Sequence, residues 1–249
     1  MNSLRRDKML HFIEEHESAT LKQLHALFPQ LSTMTIHRDL EFLAQKGAIR
    51  RIWGGAQVVR NAVEAEFEER EQENSSFKNA MAKKAVSLIK PGDSIFLDAG
   101  TSCFALAKLI PDIDINIFTI GPNIAIELMK LNRPSINICG GNLNRSNLSL
   151  SGQNTLEMIS DINIDMAFVG SGGYSHESGF TGGKESEARV KSLVVKKARV
   201  VVAMTDSSKI GKTRPFPFAK LQDFHYIIDD GRLPGHVLSV AADLNITVL

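Results

Sequence analysis

Apolar residues recur at helical spacing in three short stretches near the N-terminus. Leu4, Met9, Phe12 and Ile13 predict a helix over residues 3–15, which Ser18-Ala19 ends. Leu21, Leu24 and Leu27 mark one face of a second, shorter helix. It opens with capping-box form, Thr20-Leu21-Lys22-Gln23: the Thr20 hydroxyl can accept an early helix N–H while Gln23 reaches back. Phe28-Pro29 stops it, since the residue before a proline is disfavoured in helical geometry. Ser32 can cap a third helix running to about Lys46, with Gly47 as its stop. Ile36, Leu40 and Leu43 there follow the i, i+4, i+7 pattern and face the core, which leaves Thr33, Met34, His37 and Arg38 outward. Residues 48–53 and 56–59 favour strands and flank Gly54-Gly55, which predicts a tight hairpin.

From about Phe77 the pattern changes to short apolar runs alternating with helical stretches. Strands are predicted at 94–98, 116–120, 136–139, 166–169, 200–205, 226–229 and 246–249. Helices are predicted near 79–90, 102–110, 122–131, 153–161, 185–197 and 234–243. The fold class is α/β, a Rossmann-like domain whose near-continuous apolar strands imply a largely parallel sheet covered on both faces. Such sheets bind ligands beyond the carboxyl ends of their strands, near a topological switch point. The small and polar residues sit at those ends: Asp98-Ala99-Gly100-Thr101-Ser102, Gly121-Pro122-Asn123, Cys139-Gly140-Gly141-Asn142, Gly170-Ser171-Gly172-Gly173 and Asp206-Ser207-Ser208-Lys209. Glycines at any one of these ends also serve simply as tight turns. The Asp98, Thr101 and Ser102 loop together with Lys209 favours a bound phosphate, because hydroxyls and free N–H groups at a helix start suit an anion.

Composition adds bounds. At 249 residues and 43% hydrophobic, the chain has ample material for a core and is not of the disordered class. It holds no run of about 18 apolar residues and no apolar signal core near its start, so a cytoplasmic protein is expected, with no membrane partner. Two cysteines, Cys103 and Cys139, make neither a disulfide framework nor a zinc site and are expected to be small buried hydrophobes. The seven histidines show no metal-ligand spacing, so no metal and no cofactor is expected. The net charge of +1 hides an uneven distribution. Residues 1–60 carry nine basic and six acidic residues, and the remainder carries 20 and 22. An acidic, Ser/Asn-terminated stretch, residues 64–76, reads as a linker helix, giving domains at 1–60 and 77–249 joined by 61–76.

Three helices and a basic hairpin make a winged helix-turn-helix. In that unit a recognition helix enters the major groove N-terminus first, where short hydroxyls and a cation meet phosphates and base edges. Thr20, Ser32, Thr33, Thr35, His37 and Arg38 are the expected DNA contacts, with Arg50 and Arg51 on the wing reaching the sugar-phosphate backbone or the minor groove. Trp53 is expected to pack the hairpin, with stacking on DNA as the other option. A small helical protein-interaction domain would show the same periodicity.

Ser32-x-x-Thr35-Ile36-His37-Arg38-Asp39-Leu40, followed by Leu43, Gly47, Arg51 and Gly54-Gly55-Ala56, resembles the DNA-binding signature of DeoR-type transcriptional regulators. The family usually has arginine where His37 stands, and a neutral imidazole cannot make a bidentate guanidinium contact. Asp98-Ala99-Gly100-Thr101-Ser102, Gly140-Gly141, Ala167-Phe168-Val169-Gly170 and Asp206-Ser207-Ser208-Lys209 resemble that family's sensor domain, so the resemblance covers nearly the whole chain. It implies a fold similar to sugar-phosphate isomerases and a phosphorylated sugar or sugar-alcohol effector. By that resemblance Thr101, Ser102 and Lys209 hold the phosphate, Asp98 and Asn123 meet sugar hydroxyls, and Gly100, Gly140, Gly141 and Gly170 line the site. It further implies a repressor of a carbohydrate operon that binds double-stranded operator DNA as a homodimer or homotetramer.

The isomerase-like sheet keeps an enzyme with an accessory DNA- or protein-binding domain as the alternative. Aldose–ketose isomerisation needs a carboxylate base beside the substrate carbon. The isomerases carry an Asp-Gly-Ala-Asp-Glu loop where this chain has Gly170-Ser171-Gly172-Gly173, so binding without turnover is expected.

Overall fold

The computed structural model describes residues 2–45, 48–58 and 66–249, which fall into two compact units dividing at residues 63 and 64. Lys46, Gly47, Val59, Arg60 and the linker positions 61–65 lie outside the described residues, as does the side chain of Leu4. The first unit runs α1 (Asn2–Glu15), β1 (Ser18–Thr20), α2 (Leu21–Leu27), α3 (Thr33–Gln45), β2 (Ile49–Ile52) and β3 (Gly55–Val58). Met9 and Ile13 of α1, Leu24 of α2 and Ile36, Leu40 and Leu43 of α3 meet in one core. The capping box forms: the Gln23 N–H donates to the Thr20 hydroxyl at 3.3 Å and the Thr20 N–H donates to Gln23 Oε1 at 2.9 Å.

Ser18-Ala19 does more than end a helix. It forms β1, which pairs antiparallel with β3 and makes the wing a three-stranded sheet in the order β1-β3-β2. Gly55 permits that approach, since a β-carbon on it would stand 2.1 Å from the Ala19 carbonyl oxygen, and Gly54 turns the hairpin at φ +76°.

The second unit opens with α4 (Phe67–Gln72) and α5 (Ser75–Val86), then β4 (Ser94–Leu97), α6 (Thr101–Ala107), β5 (Asn116–Thr119), α7 (Pro122–Leu128) and β6 (Ser135–Ile138). A small hairpin, β7 (Asn142–Asn144) and β8 (Ser149–Ser151), leads to α8 (Gln153–Asp161) and β9 (Met166–Gly170). Then come β10 (Gly173–Ser175), β11 (Gly179–Gly182), α9 (Glu185–Lys197), β12 (Val200–Met204), β13 (Phe216–Ala219), β14 (Tyr226–Ile228), α10 (Gly235–Asp243) and β15 (Thr247–Val248). Among the described residues the main sheet has seven strands, all parallel, in the order β15-β14-β12-β9-β4-β5-β6.

The strands are apolar throughout because both faces are covered, and successive residues enter different cores. Ile95, Leu97, Phe168, Val202 and Met204 pack with Met81 and Ala85 of α5, Leu106 of α6 and Leu128 of α7. Phe96, Ala167, Val169, Val201 and Ala203 pack with Ile159 of α8, Val190 and Val194 of α9 and Val237 of α10. Cys103 and Cys139 are buried in these two cores, and burial raises both thiols, Cys139 to about 11.

The residues expected in the linker need one correction. Residues 66–76 belong to the second unit: Phe67 is buried edge-on against Phe104 at 5.5 Å, and Glu71 pairs with Lys108 at 2.7 Å. An acidic helix with one aromatic on its inner face gains more by burying that ring than by spanning solvent. The antiparallel trio β10-β11-β13 was not expected either.

Candidate functional site

In the first unit, α3 and the wing carry the expected DNA-contacting side chains, and the structure divides them. Thr20 and Ser32 are exposed and serve as caps; Ser32 Oγ accepts from the Thr35 N–H at 3.2 Å and meets the half-buried Thr35 hydroxyl at 2.9 Å. Thr33 and Arg38 are exposed on α3, and Arg38 meets no carboxylate among the described residues. Arg50 is exposed on β2 and donates to Gln57 at 3.0 Å. Arg51, expected to reach outward, is half-buried and turned back: it donates to His37 Nδ1 at 3.1 Å and lies 3.8 Å from Glu41. Trp53 is 101% exposed at the wing tip, so it does not pack the hairpin. A two-residue turn offers no apolar surface for an indole to cover.

One residue of this motif has a different task. Asp39 is 1% exposed and binds two arginines of α1, Arg5 through Nε at 2.6 Å and Arg6 through Nε at 2.8 Å. Burial by itself would raise its carboxyl. The hydrogen bonds and charge of Arg5 and Arg6 outweigh that and hold it below its ordinary value. Asp39 therefore ties α1 to the helix that presents Arg38.

In the second unit the main sheet reverses its winding between β4 and β9. The chain proceeds from β4 to β5 and β6 on one side, and from β9 to β12 and β14 on the other. A cleft opens beyond the carboxyl ends of these two strands. Asp98, Gly100, Thr101, Ser102, Gly170 and Lys209, all expected from sequence, line it.

Asp98, which follows β4, is 2% exposed; its Oδ2 accepts from the Gly170 N–H at 3.0 Å and from Lys191 Nζ at 2.7 Å. Lys191 also donates to the Gly170 carbonyl at 2.7 Å. Asp206 caps the single 3-10 turn that carries Lys209, accepting from the Ser208 N–H at 2.9 Å. The Ser171 hydroxyl is buried in the cleft wall and has no hydrogen-bond partner among the described residues.

Three expected residues stand elsewhere. Asn123, on the first turn of α7, does not line the cleft; its amide atoms are buried without a hydrogen-bond partner among the described residues. Gly140 and Gly141 answer to packing. Gly141 has φ +131°, and a β-carbon on it would stand 2.1 Å from Thr155 Oγ1, while the Thr155 hydroxyl donates to the Gly140 carbonyl.

Lys78, Lys191 and Arg70 also line the cleft and were not singled out from sequence. The signal was present for the two lysines. Lys78 shares a helical face with Met81, Ala82 and Ala85, and Lys191 shares one with Ala188, Val194 and Val195.

Residues 5–62 match the family model described as the DeoR-like helix-turn-helix domain, and residues 73–231 match the DeoR C-terminal sensor domain. The chain is 33% identical over 239 residues to the HTH-type transcriptional repressor GlcR of Bacillus subtilis, covering 95% of this chain and 91% of that protein. It is 34% identical over 220 residues to the HTH-type transcriptional regulator GlpR of Haloferax volcanii, covering 88% and 86%. Ribose 5-phosphate isomerase A from Methanocaldococcus jannaschii is similar at 18% identity over 56% of each chain, with a TM-score of 0.42. No helix among the described residues is long and apolar enough to cross a membrane.

Proposed function

Because the chain belongs to the DeoR family of transcriptional regulators, we propose that it is a repressor of a carbohydrate operon, released or engaged by a phosphorylated sugar or sugar alcohol. The observation that carries this reading is the cleft at the β4–β9 switch point. It combines cations and hydroxyls suited to a phosphate with a fixed carboxylate suited to sugar hydroxyls. Lys209, Thr101 and Ser102 meet the phosphate. Asp98, held by Lys191 and the Gly170 N–H, accepts from the hydroxyls, whereas Asn123 stands outside the cleft lining and takes no part.

In the reading unit Thr33 and Arg38 meet the major groove, while Arg50 and Trp53 meet the DNA from the wing. Arg51 holds His37 in place and contributes through it. The active species is a homodimer or homotetramer in the cytoplasm, since two-fold symmetry places two recognition helices on two half-sites.

The isomerase alternative finds little support in the cleft. Of the three carboxylates lining the cleft, Asp98 is paired with Lys191 and Asp206 caps a turn, while Glu73 lies just past the end of α4, beside the strand-end loops rather than on the Gly170-Ser171-Gly172-Gly173 loop. These roles support binding without turnover.

The test uses a duplex selected from a random library by the wild-type protein. Arg38→Ala should weaken binding to it by about tenfold to a hundredfold, the cost of one or two contacts in the groove. Lys209→Ala should leave that affinity unchanged and reduce the effect of phosphorylated sugars on it. Loss of DNA binding in folded Lys209→Ala would overturn the division of labour. A second outcome concerns the wing: Trp53→Ala should leave the melting temperature within a degree or two, since an exposed ring adds about 0.5 kcal/mol at most. It should weaken DNA binding several-fold, and unchanged affinity would remove Trp53 from the interface.

A further inference from the structure

The charged residues lining the cleft are Arg70, Lys78, Lys191 and Lys209 against Glu73, Asp98 and Asp206. Their positions are not equivalent. The ammonium of Lys191 is matched by Asp98 at 2.7 Å. Lys78 is 7% exposed, yet no carboxylate among the described residues lies within 4.0 Å of it. Its Nζ donates instead to the backbone carbonyls of Arg70 and Glu73, where α4 ends. Carbonyls solvate an ammonium without cancelling its charge, and a buried ion normally has a counter-ion. Burial lowers the Lys78 pKa, and nearby Lys209 lowers it further, against the opposite pull of Asp206 and Glu73. An ammonium has three N–H donors, so one remains after two carbonyls are served.

We propose that Lys78 is the charged anchor for the anionic group of the ligand, acting with Lys209, and that its hold on the Arg70 and Glu73 carbonyls makes the end of α4 the element that registers occupancy. This rests on the reading of the cleft as the effector site. It gives the ligand a direction: the phosphate lies at the Lys78 and Lys209 side, and the hydroxyls lie toward Asp98, whose charge Lys191 has already met. It also gives the signal a starting point. When the third N–H of Lys78 turns to a phosphate oxygen, its bonds to the two carbonyls readjust, and α4 is the first described element after residue 58. Only a ligand that changes those bonds can bias α4 between two arrangements.

The full-length protein is compared in about 20 mM inorganic phosphate and in chloride of equal ionic strength, by thermal melting and by amide exchange over residues 67–74. Phosphate should raise the melting temperature of the wild type and alter exchange in that segment. Lys78→Gln keeps a donor for the carbonyls but loses the charge; it should weaken phosphate binding by tenfold or more and abolish the exchange response. Lys78→Met, which keeps the length of the side chain, should do the same. If Lys78→Gln responds as the wild type does while Lys209→Met does not, the assignment of Lys78 fails and the cleft stands. If phosphate leaves the wild type unshifted, the reading of the cleft fails and the anchor fails with it.

Discussion

Replacing Lys191 by methionine is expected to lower the melting temperature by on the order of 10 °C. Methionine preserves most of the side chain's volume and its approach to the Phe218 ring, which the ammonium now faces at 5.4 Å. The ammonium is lost, and Asp98 is left as a carboxylate only 2% exposed with the Gly170 N–H as its remaining partner among the described residues. Stranding one member of a buried pair costs about 3–5 kcal/mol. In a chain of this size each kcal/mol moves the melting temperature by about 2–4 °C. The double variant Lys191→Met with Asp98→Asn should recover most of the loss, because an asparagine oxygen can still accept from Gly170 and brings no charge. Calorimetry of the wild type, the single variant and the double variant decides it. A double variant no more stable than the single would show that packing, not charge pairing, holds this corner.

Asp39→Asn should destabilise the reading unit by about 2–3 kcal/mol, somewhat less than a fully buried pair because the two arginines retain partial access to water. Arg5 and Arg6 are 22% and 24% exposed in their side chains. Amide exchange in α1 and α3 should accelerate on the order of a hundredfold at neutral pH, with exchange in the second unit unchanged. DNA binding should fall with it, although Asp39 itself is buried away from any groove.

The effect has a defined pH dependence. The folded carboxyl sits below its unfolded value of about 3.9, so the ionised form is the one the fold prefers. Its contribution is complete above about pH 4 and drains away as the pH falls through the lower, folded value. The stability gap between the wild type and Asp39→Asn should therefore hold from neutral pH down to about 4 and narrow below it. A gap that widened on acidification would contradict the pairing.

How much of this could be read in the residues themselves depends on the range over which each feature is decided. The apolar periods that predicted three helices near the N-terminus and seven strands after Phe77 are local, and each appears where expected within a residue or two at its ends. Thr20-Leu21-Lys22-Gln23 closes on itself within four residues, so its capping box needs no other part of the chain. The cleft was legible through Asp98, Thr101, Ser102 and Gly170, because polar residues ending parallel strands converge by topology. The trio β10-β11-β13 was not, because its strands are short, β10 and β11 carry glycine and β13 a proline, and β11 meets β13 only after α9 and β12 intervene.

The chain's own order of apolar and polar residues determined which faces are buried; packing alone decided what the charges on those faces do. Asp39 lies in register with Ile36, Leu40 and Leu43, Lys78 with Met81, Ala82 and Ala85, and Lys191 with Ala188 and Val194. A helical period marks such a charge as inward-facing and is silent about its partner. Asp39 finds Arg5 across 34 residues and Lys191 finds Asp98 across 93, while Lys78 finds only carbonyls among the described residues. A buried charge takes its role from what faces it across the core, and that neighbour is set by how the helices and the sheet are laid together.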